Sequence, residues 1–215
     1  MTRRYSKRKR FILFFIGLIF AGLGVAFSTR PGLGTSPISS FPYVTTFVVS
    51  WTLGMATIII NIVFVLLQFI ILRKRFRWVL LAQLPTLFAF GFFIDFGMWI
   101  SSFYLPESYF LRFIETMFGC ALLATGIAFQ LLANISYMPG DGFIRTASEE
   151  YNLPFGTVKI CFDVSMVVLA VSFSLVCLQG LHGVREGTIL AAVLVGLIIK
   201  RLQPPLRYVK RFLIK

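Results

Sequence analysis

Side chains that carry chemistry are scarce in this chain. Aspartate and glutamate together number 8 in 215 residues, histidine occurs once and cysteine three times. A single histidine cannot build a histidine-rich metal centre, and His182 falls in a short loop, where it reads as a solvated residue rather than a catalyst. Cys120, Cys161 and Cys177 lie inside apolar runs without metal-ligand spacing, so they read as small buried hydrophobes. No Ser–His–Asp set, Walker loop or paired-carboxylate arrangement is visible. Neither an enzyme nor a cofactor or metal is expected on these grounds. Charged residues make up only 13% of the chain, far below the share of a soluble domain.

What the chain does contain is apolar surface. Hydrophobic residues supply 58% of it, phenylalanine alone 25 positions, and the mean hydropathy is +0.86. Several apolar runs reach about 18 residues, enough to cross a hydrocarbon core of about 30 Å as helix. The alternating strands of about ten residues that a transmembrane barrel needs are absent. An all-α polytopic membrane protein is therefore expected. Residues 1–28 have the outline of a signal peptide, but the matching run in the second half is internal. Residues 11–29 are therefore read as a retained helix.

The net charge of +13 suggests nucleic acid only until its placement is read. The cations cluster beside the apolar runs, at Arg3, Arg4, Lys7, Arg8, Lys9 and Arg10, at Arg73, Lys74, Arg75 and Arg77, and at Lys200, Arg201, Arg207, Lys210, Arg211 and Lys215. With six crossings and the N-terminus inside, 18 of the 21 Lys and Arg fall on the inner side. Only Arg30, Arg112 and Arg185 fall outside. This is the positive-inside pattern, and it places both termini in the cytoplasm. The basic termini would attract anionic lipid headgroups, and nucleic acid is not expected as a partner.

The crossings form two related units. Residues 17–61 match residues 119–163 at a constant offset of 102, without a gap. Gly17, Gly24, Ala26, Phe27, Pro37, Phe41, Gly54 and Ile58 fall on Gly119, Gly126, Ala128, Phe129, Pro139, Phe143, Gly156 and Ile160. After a slip of three residues the match resumes with Gly91 on Gly196. Long helices are predicted over 11–29, 54–72, 79–101, 111–133, 157–178 and 188–203, with short apolar pieces at 39–50 and 142–151. The chain divides into a basic N-terminus 1–10, a membrane repeat 11–101, an outer loop 102–110, a second repeat 111–203 and a basic C-terminus 204–215. Three crossings per repeat is an odd number, so the second repeat is expected upside down relative to the first, a transporter hallmark.

Each short piece follows a breaker segment rich in Pro and Gly, at 31–37 and 134–142. Ten to twelve helical residues reach only about 15–18 Å. The pieces are thus either interfacial helices or re-entrant half-helices dipping in from opposite faces. In the second case their starts, at Ser39-Ser40 and Asp141-Gly142, would offer free N–H groups to an anionic or zwitterionic solute. Asp141 could equally be an N-cap. The candidate substrate residues are Ser36, Pro37, Ser39, Pro139, Gly140 and Asp141.

Polar residues inside apolar runs are the other candidates. Asp163 stands out, one turn after Lys159. The two either pair with each other near the inner interface or form a proton or cation site. Asn61 matches Asp163 under the offset; it reads as an interhelical hydrogen-bonding residue and is carried with Asp163 and Lys159 among the ion-coupling candidates. Asp95 has no local partner and is a second coupling candidate. Glu115 has Arg112 three residues before it and reads as half of a local pair.

Residues 22–37 (GLGVAFSTRPGLGTSP), the spaced Gly54, and residues 138–143 (MPGDGF) resemble the YczE/YyaS/YitT group of bacterial integral membrane proteins. The resemblance covers most of residues 11–203. It implies a multi-pass protein of the bacterial cytoplasmic membrane and carries no established substrate or catalytic residues. Ser39 stands where the group's pattern often has an acidic residue. Two functions are carried forward. The first is a secondary transporter or flippase-like carrier of a small anionic or zwitterionic solute or lipid headgroup, coupled to a proton or cation through Asp163. The second is a non-transporting membrane protein that stabilises or regulates a partner through its basic tails. Association into a homodimer is a further partner expectation.

Overall fold

The computed structural model describes residues 7–73, 78–103 and 106–212. Of the basic clusters, Arg3, Arg4, Lys74, Arg75, Arg77 and Lys215 lie outside these residues, as do Tyr104 and Leu105 of the 102–110 loop. The described chain is helical, with no strand among the described residues. Its helices are α1 (Lys7–Thr29), α2 (Pro37–Val48), α3 (Leu53–Leu72), α4 (Gln83–Ser101), α5 (Tyr109–Ala133), α6 (Pro139–Glu150), α7 (Phe155–Leu178) and α8 (Glu186–Phe212), and a 3₁₀ turn, Trp78–Ala82, leads into α4.

Among the described residues five segments are long and apolar enough to cross a membrane: Lys7–Thr29, Leu53–Leu72, Leu80–Ser101, Tyr109–Ala133 and Phe155–Leu178. α8 is longer still at 27 residues, but its apolar stretch, 187–199, is closed off by Lys200 and Arg201. The terminal helices also extend past the expected bounds. α1 begins at Lys7, and Arg10 donates from Nε to the Ala133 carbonyl at 2.7 Å and from its terminal nitrogen to the Asn134 carbonyl. A cation there satisfies carbonyls that the end of α5 leaves free. α8 runs on to Phe212, so the segment after residue 203 continues the last helix.

α1 and α5 form the most extensive interface. Four glycines let their backbones meet. A Cβ built at Gly17 would stand 2.8 Å from the Gly126 carbonyl oxygen, and one at Gly24 would stand 2.8 Å from that of Gly119. The pairing Gly17 with Gly126 and Gly24 with Gly119 makes the two helices antiparallel. Close backbone approach through small residues is how apolar helices associate where lipid offers no hydrophobic gain. Gln130 adds a hydrogen bond from Nε2 to the Gly17 carbonyl, 3.2 Å.

α4 flanks α1 and α8 flanks α5. Gly22 meets Phe93 and Gly97 meets Ala26, so α1 and α4 run in the same direction. The second core lies between the short helices and α3 and α7. Ile60, Phe64, Ile144, Phe162 and Met166 are buried there, with Ile38, Phe41 and Phe143 packed on them. The outward faces are apolar, as at Phe92, Trp99, Ile160, Val176 and Ile189, which suits hydrocarbon. Cys161 and Cys177 are on this outer surface and only Cys120 is buried, which corrects the expectation for two of the three cysteines. Their helix, α7, turns most of its circumference outward because only the short helices cover it substantially.

Candidate functional site

Both short helices begin with proline. Pro37 and Pro139 occupy the first helical turn, where a fixed φ suits the helix and the missing N–H is not needed. The helices therefore start two residues before the expected Ser39 and Asp141. Their N-caps, Ser36 and Met138, make no side-chain capping bond. Asp141 is accordingly not an N-cap. It sits in the first turn of α6, where a carboxylate complements the partial positive charge of the helix end.

The two starts touch. Ile38 Cδ1 would be 2.4 Å from a Cβ at Gly140, so Ile38 packs directly on the α6 backbone. Under the offset of 102, Ile38 and Gly140 are the same position in the two units. Ser36, Pro37, Ser39, Pro139 and Gly140 are all buried around this junction, and Asp141 is half-buried beside it. All six expected substrate residues are thus drawn together from segments a hundred residues apart.

Polar side chains hold each start. In α3, Asn61 accepts from the Gly140 N–H at 3.2 Å and donates from Nδ2 to the Thr57 carbonyl at 2.9 Å. One face along α3, Gln68 donates to the Pro139 carbonyl at 3.0 Å and exchanges hydrogen bonds of 3.3 and 3.4 Å with Gln83 of α4. Asn61, Gln68 and Gln83 are all buried. At the other start, Ser36 Oγ donates to Ser39 Oγ at 3.0 Å, and Ser40 Oγ donates to the Pro37 carbonyl at 2.6 Å. The approach to α2 is held by α8. Gly187 N–H donates to the Leu33 carbonyl at 2.7 Å, and Thr35 N–H donates to Thr188 Oγ1 at 3.3 Å. Gly34, at φ +113°, leaves no room for a side chain, since a Cβ would lie 2.5 Å from Thr188 Oγ1.

Asn61 thus carries the interhelical bond expected of it, and its replacement has a calculable cost. Asn61→Leu leaves the Gly140 N–H buried without a partner, an expected loss of about 1–3 kcal/mol. Thermal unfolding of the purified variant in detergent checks it; an unchanged midpoint would remove Asn61 as the anchor of α6.

The charged candidates singled out above fall into three places, apart from the ion pairs Arg145–Glu149 and Arg185–Glu186. Lys159 Nζ lies 2.7 Å from Asp163 Oδ1 across one turn of α7, with side chains 34% and 24% exposed. Asp141 is close enough to both for their charges to act on it. Asp95 has partners that no local reading could supply. Its carboxylate accepts from the Gly54 N–H at 2.7 Å and from Thr52 Oγ1 at 2.6 Å, so it caps α3 from α4. Glu115 does not pair with Arg112, which donates to the Pro106 carbonyl instead. The cation whose charge acts on Glu115 is Arg30, and Arg30 Nε and Glu115 Oε2 are both buried without a hydrogen-bond partner. His182 is an exposed loop residue, as expected, with its N–H on Ser174 Oγ at 2.8 Å.

Gln68, Thr188, Ile38 and the action of Arg30 on Glu115 were not singled out from sequence. Gln68 carried a signal, a polar side chain inside an apolar run. Ile38 carried none. Among the described residues no group of three or more His, Cys, Asp or Glu could hold a metal ion.

A helical bundle with five apolar spans and an apolar outer surface defines an integral membrane protein. Residues 8–204 match the family described as "Family of unknown function (DUF6198)", and the chain belongs to that family. It is similar to the "Uncharacterized membrane protein YczE" of Bacillus subtilis (strain 168), with 27% identity over 195 residues that cover 89% of this chain and 84% of that one. No solved structure matches.

Proposed function

We propose that the chain is a secondary carrier of a small anionic or zwitterionic solute or lipid headgroup, coupled to a proton or cation. It works in a bacterial cytoplasmic membrane, which it crosses six times with both termini inside. Its two inverted units are α1–α4 and α5–α8, and α2 and α6 enter from opposite faces as half-helices. Lys200 and Arg201 extend toward the inner headgroups, so that α8 supplies the sixth crossing.

The observation that carries this reading is the meeting of α2 and α6 at Ile38 and Gly140, equivalent positions of the two repeats. Two helix starts facing each other deep in a bundle concentrate partial positive charge where a solute's negative group can sit. The running directions agree with it, since α1 is antiparallel to α5 and parallel to α4, as inverted units require. Asp141, Lys159 and Asp163 lie on the inner side of that junction and supply the coupling charge. Asp95 and Asn61, with backbone partners of their own, hold the frame.

Accessibility from the two faces tests the reading. In a background lacking Cys120, Cys161 and Cys177, single cysteines at Ser39 and Asp141 are probed from each side with a membrane-impermeant thiol reagent. Both are expected to label from both faces, because a carrier opens the junction to each side in turn. Labelling of each only from its nearer face would make the short helices interfacial and return the protein to a partner-stabilising role.

A further inference from the structure

The two repeats share a sequence pattern but not a conformation. In the first repeat α3 crosses α4 at glycine. A Cβ at Gly54 would lie 2.2 Å from the Gly91 carbonyl oxygen, and one at Gly91 would lie 3.0 Å from that of Gly54. The corresponding glycines of the second repeat are Gly156, at offset 102, and Gly196, at offset 105. Nothing lies within 4 Å of a Cβ at either of them, and α7 and α8 barely meet among the described residues. Glycine weakens a helix relative to alanine. Gly156 and Gly196 therefore have no packing reason in this conformation, whereas a closed α7–α8 crossing would supply one.

The charges beside the crossings differ in the matching sense. Asp95 latches the first crossing through Thr52 and the Gly54 N–H. Its counterpart at offset 105 is Lys200, and the α7 N-cap is Pro154, with no side-chain capping bond. A lysine cannot accept from the start of α7 and is disfavoured by the helix dipole there. In the topology proposed above, Gly54 lies toward the outer face and Gly156 toward the inner.

We propose that this conformation is the inward-open half of a two-state cycle, in which the outer gate is the Gly54–Gly91 crossing latched by Asp95. In the other half Gly156 closes on Gly196 while Gly54 parts from Gly91. The inference rests on the carrier reading and assigns its gates. The imbalance between Asp95 and Lys200 sets the inward-open state as the resting one.

The test is a disulfide that only the second state can form, because its Cβ atoms must approach to about 3.8 Å. Gly156→Cys and Gly196→Cys are combined in the cysteine-free background, in membranes, under copper–phenanthroline. The pair is expected to cross-link. Adding Asp95→Asn, which keeps an acceptor for Gly54 but removes the charge, is expected to raise the cross-linking rate about tenfold, the worth of one charge-assisted hydrogen bond. Absence of the cross-link in both backgrounds, with monodisperse protein, overturns the exchange. A cross-link whose rate ignores Asp95 overturns the latch. Cysteines at Ser39 and Asp141 that label from both faces without this cross-link leave a carrier with other gates. A cross-link with one-sided labelling leaves a motion without transport, and then the carrier reading falls.

Discussion

Gly119→Leu is expected to destabilise the protein by at least about 3 kcal/mol, the upper end of the usual cost of overpacking. A Cβ at Gly119 would stand 2.2 Å from the Ser28 backbone nitrogen and 2.7 Å from the Phe27 carbonyl carbon. These are backbone atoms of α1, which cannot rotate away as a side chain could, so the two helices must separate along their common interface. That interface also carries Gly17, Gly24 and Gly126, and parting it at one point loosens contacts along its length. For a chain of this size the loss corresponds to a drop of roughly 6–12 °C in the unfolding midpoint, read by thermal unfolding in detergent. Gly156→Ala is the control. Nothing surrounds that glycine and alanine is the better helix former, so the change should cost nothing and add at most about 1 kcal/mol. Equal midpoints for the two variants would mean that the α1–α5 crossing is not what holds the bundle.

Asp163→Asn is expected to reduce solute flux to background while the fold persists. The Lys159–Asp163 pair is partly exposed and spans one helical turn, so its loss should cost no more than about 1 kcal/mol. The midpoint should then move by roughly 2–4 °C at most. Lys159 also keeps a neighbouring carboxylate in Asp141. A purely structural Asp163 would therefore be dispensable twice over, whereas a coupling Asp163 carries the titrating group that asparagine cannot replace. Uptake of a panel of labelled small anions and zwitterions into proteoliposomes, run beside thermal unfolding, separates the two. Wild-type uptake by Asp163→Asn would end its coupling role.

What a linear reading reached here is what repeats in the chain. The offset of 102 exposed the duplicated glycines and prolines, and the structure uses both. Gly17, Gly24, Gly119 and Gly126 bring α1 onto α5, and Pro37 and Pro139 open the two short helices. Periodicity and apolar length located the long helices, because the interior of a bilayer leaves few alternatives to a helix, although α8 runs on to Phe212, well past its expected end at 203. The six residues proposed around the breakers prove to be neighbours in space.

The partners of the charges needed the fold. Asp95 sits 41 residues from Gly54, and Asn61 sits 79 from Gly140. A hydrogen bond across such a separation depends on how helices cross, and no local spacing encodes that angle. For the same reason Glu115 is within reach of the charge of Arg30, while its neighbour Arg112 turns to the Pro106 carbonyl. By itself, then, the sequence determined an apolar, helical membrane chain with glycines and proline breakers at matching offsets, because composition and period act residue by residue. Only the tertiary structure decided that Ile38 rests on Gly140, and that Gly54 meets Gly91 while nothing stands within 4 Å of a Cβ at Gly156 or Gly196. Those depend on the relative placement of whole helices, which identical local patterns leave free to differ.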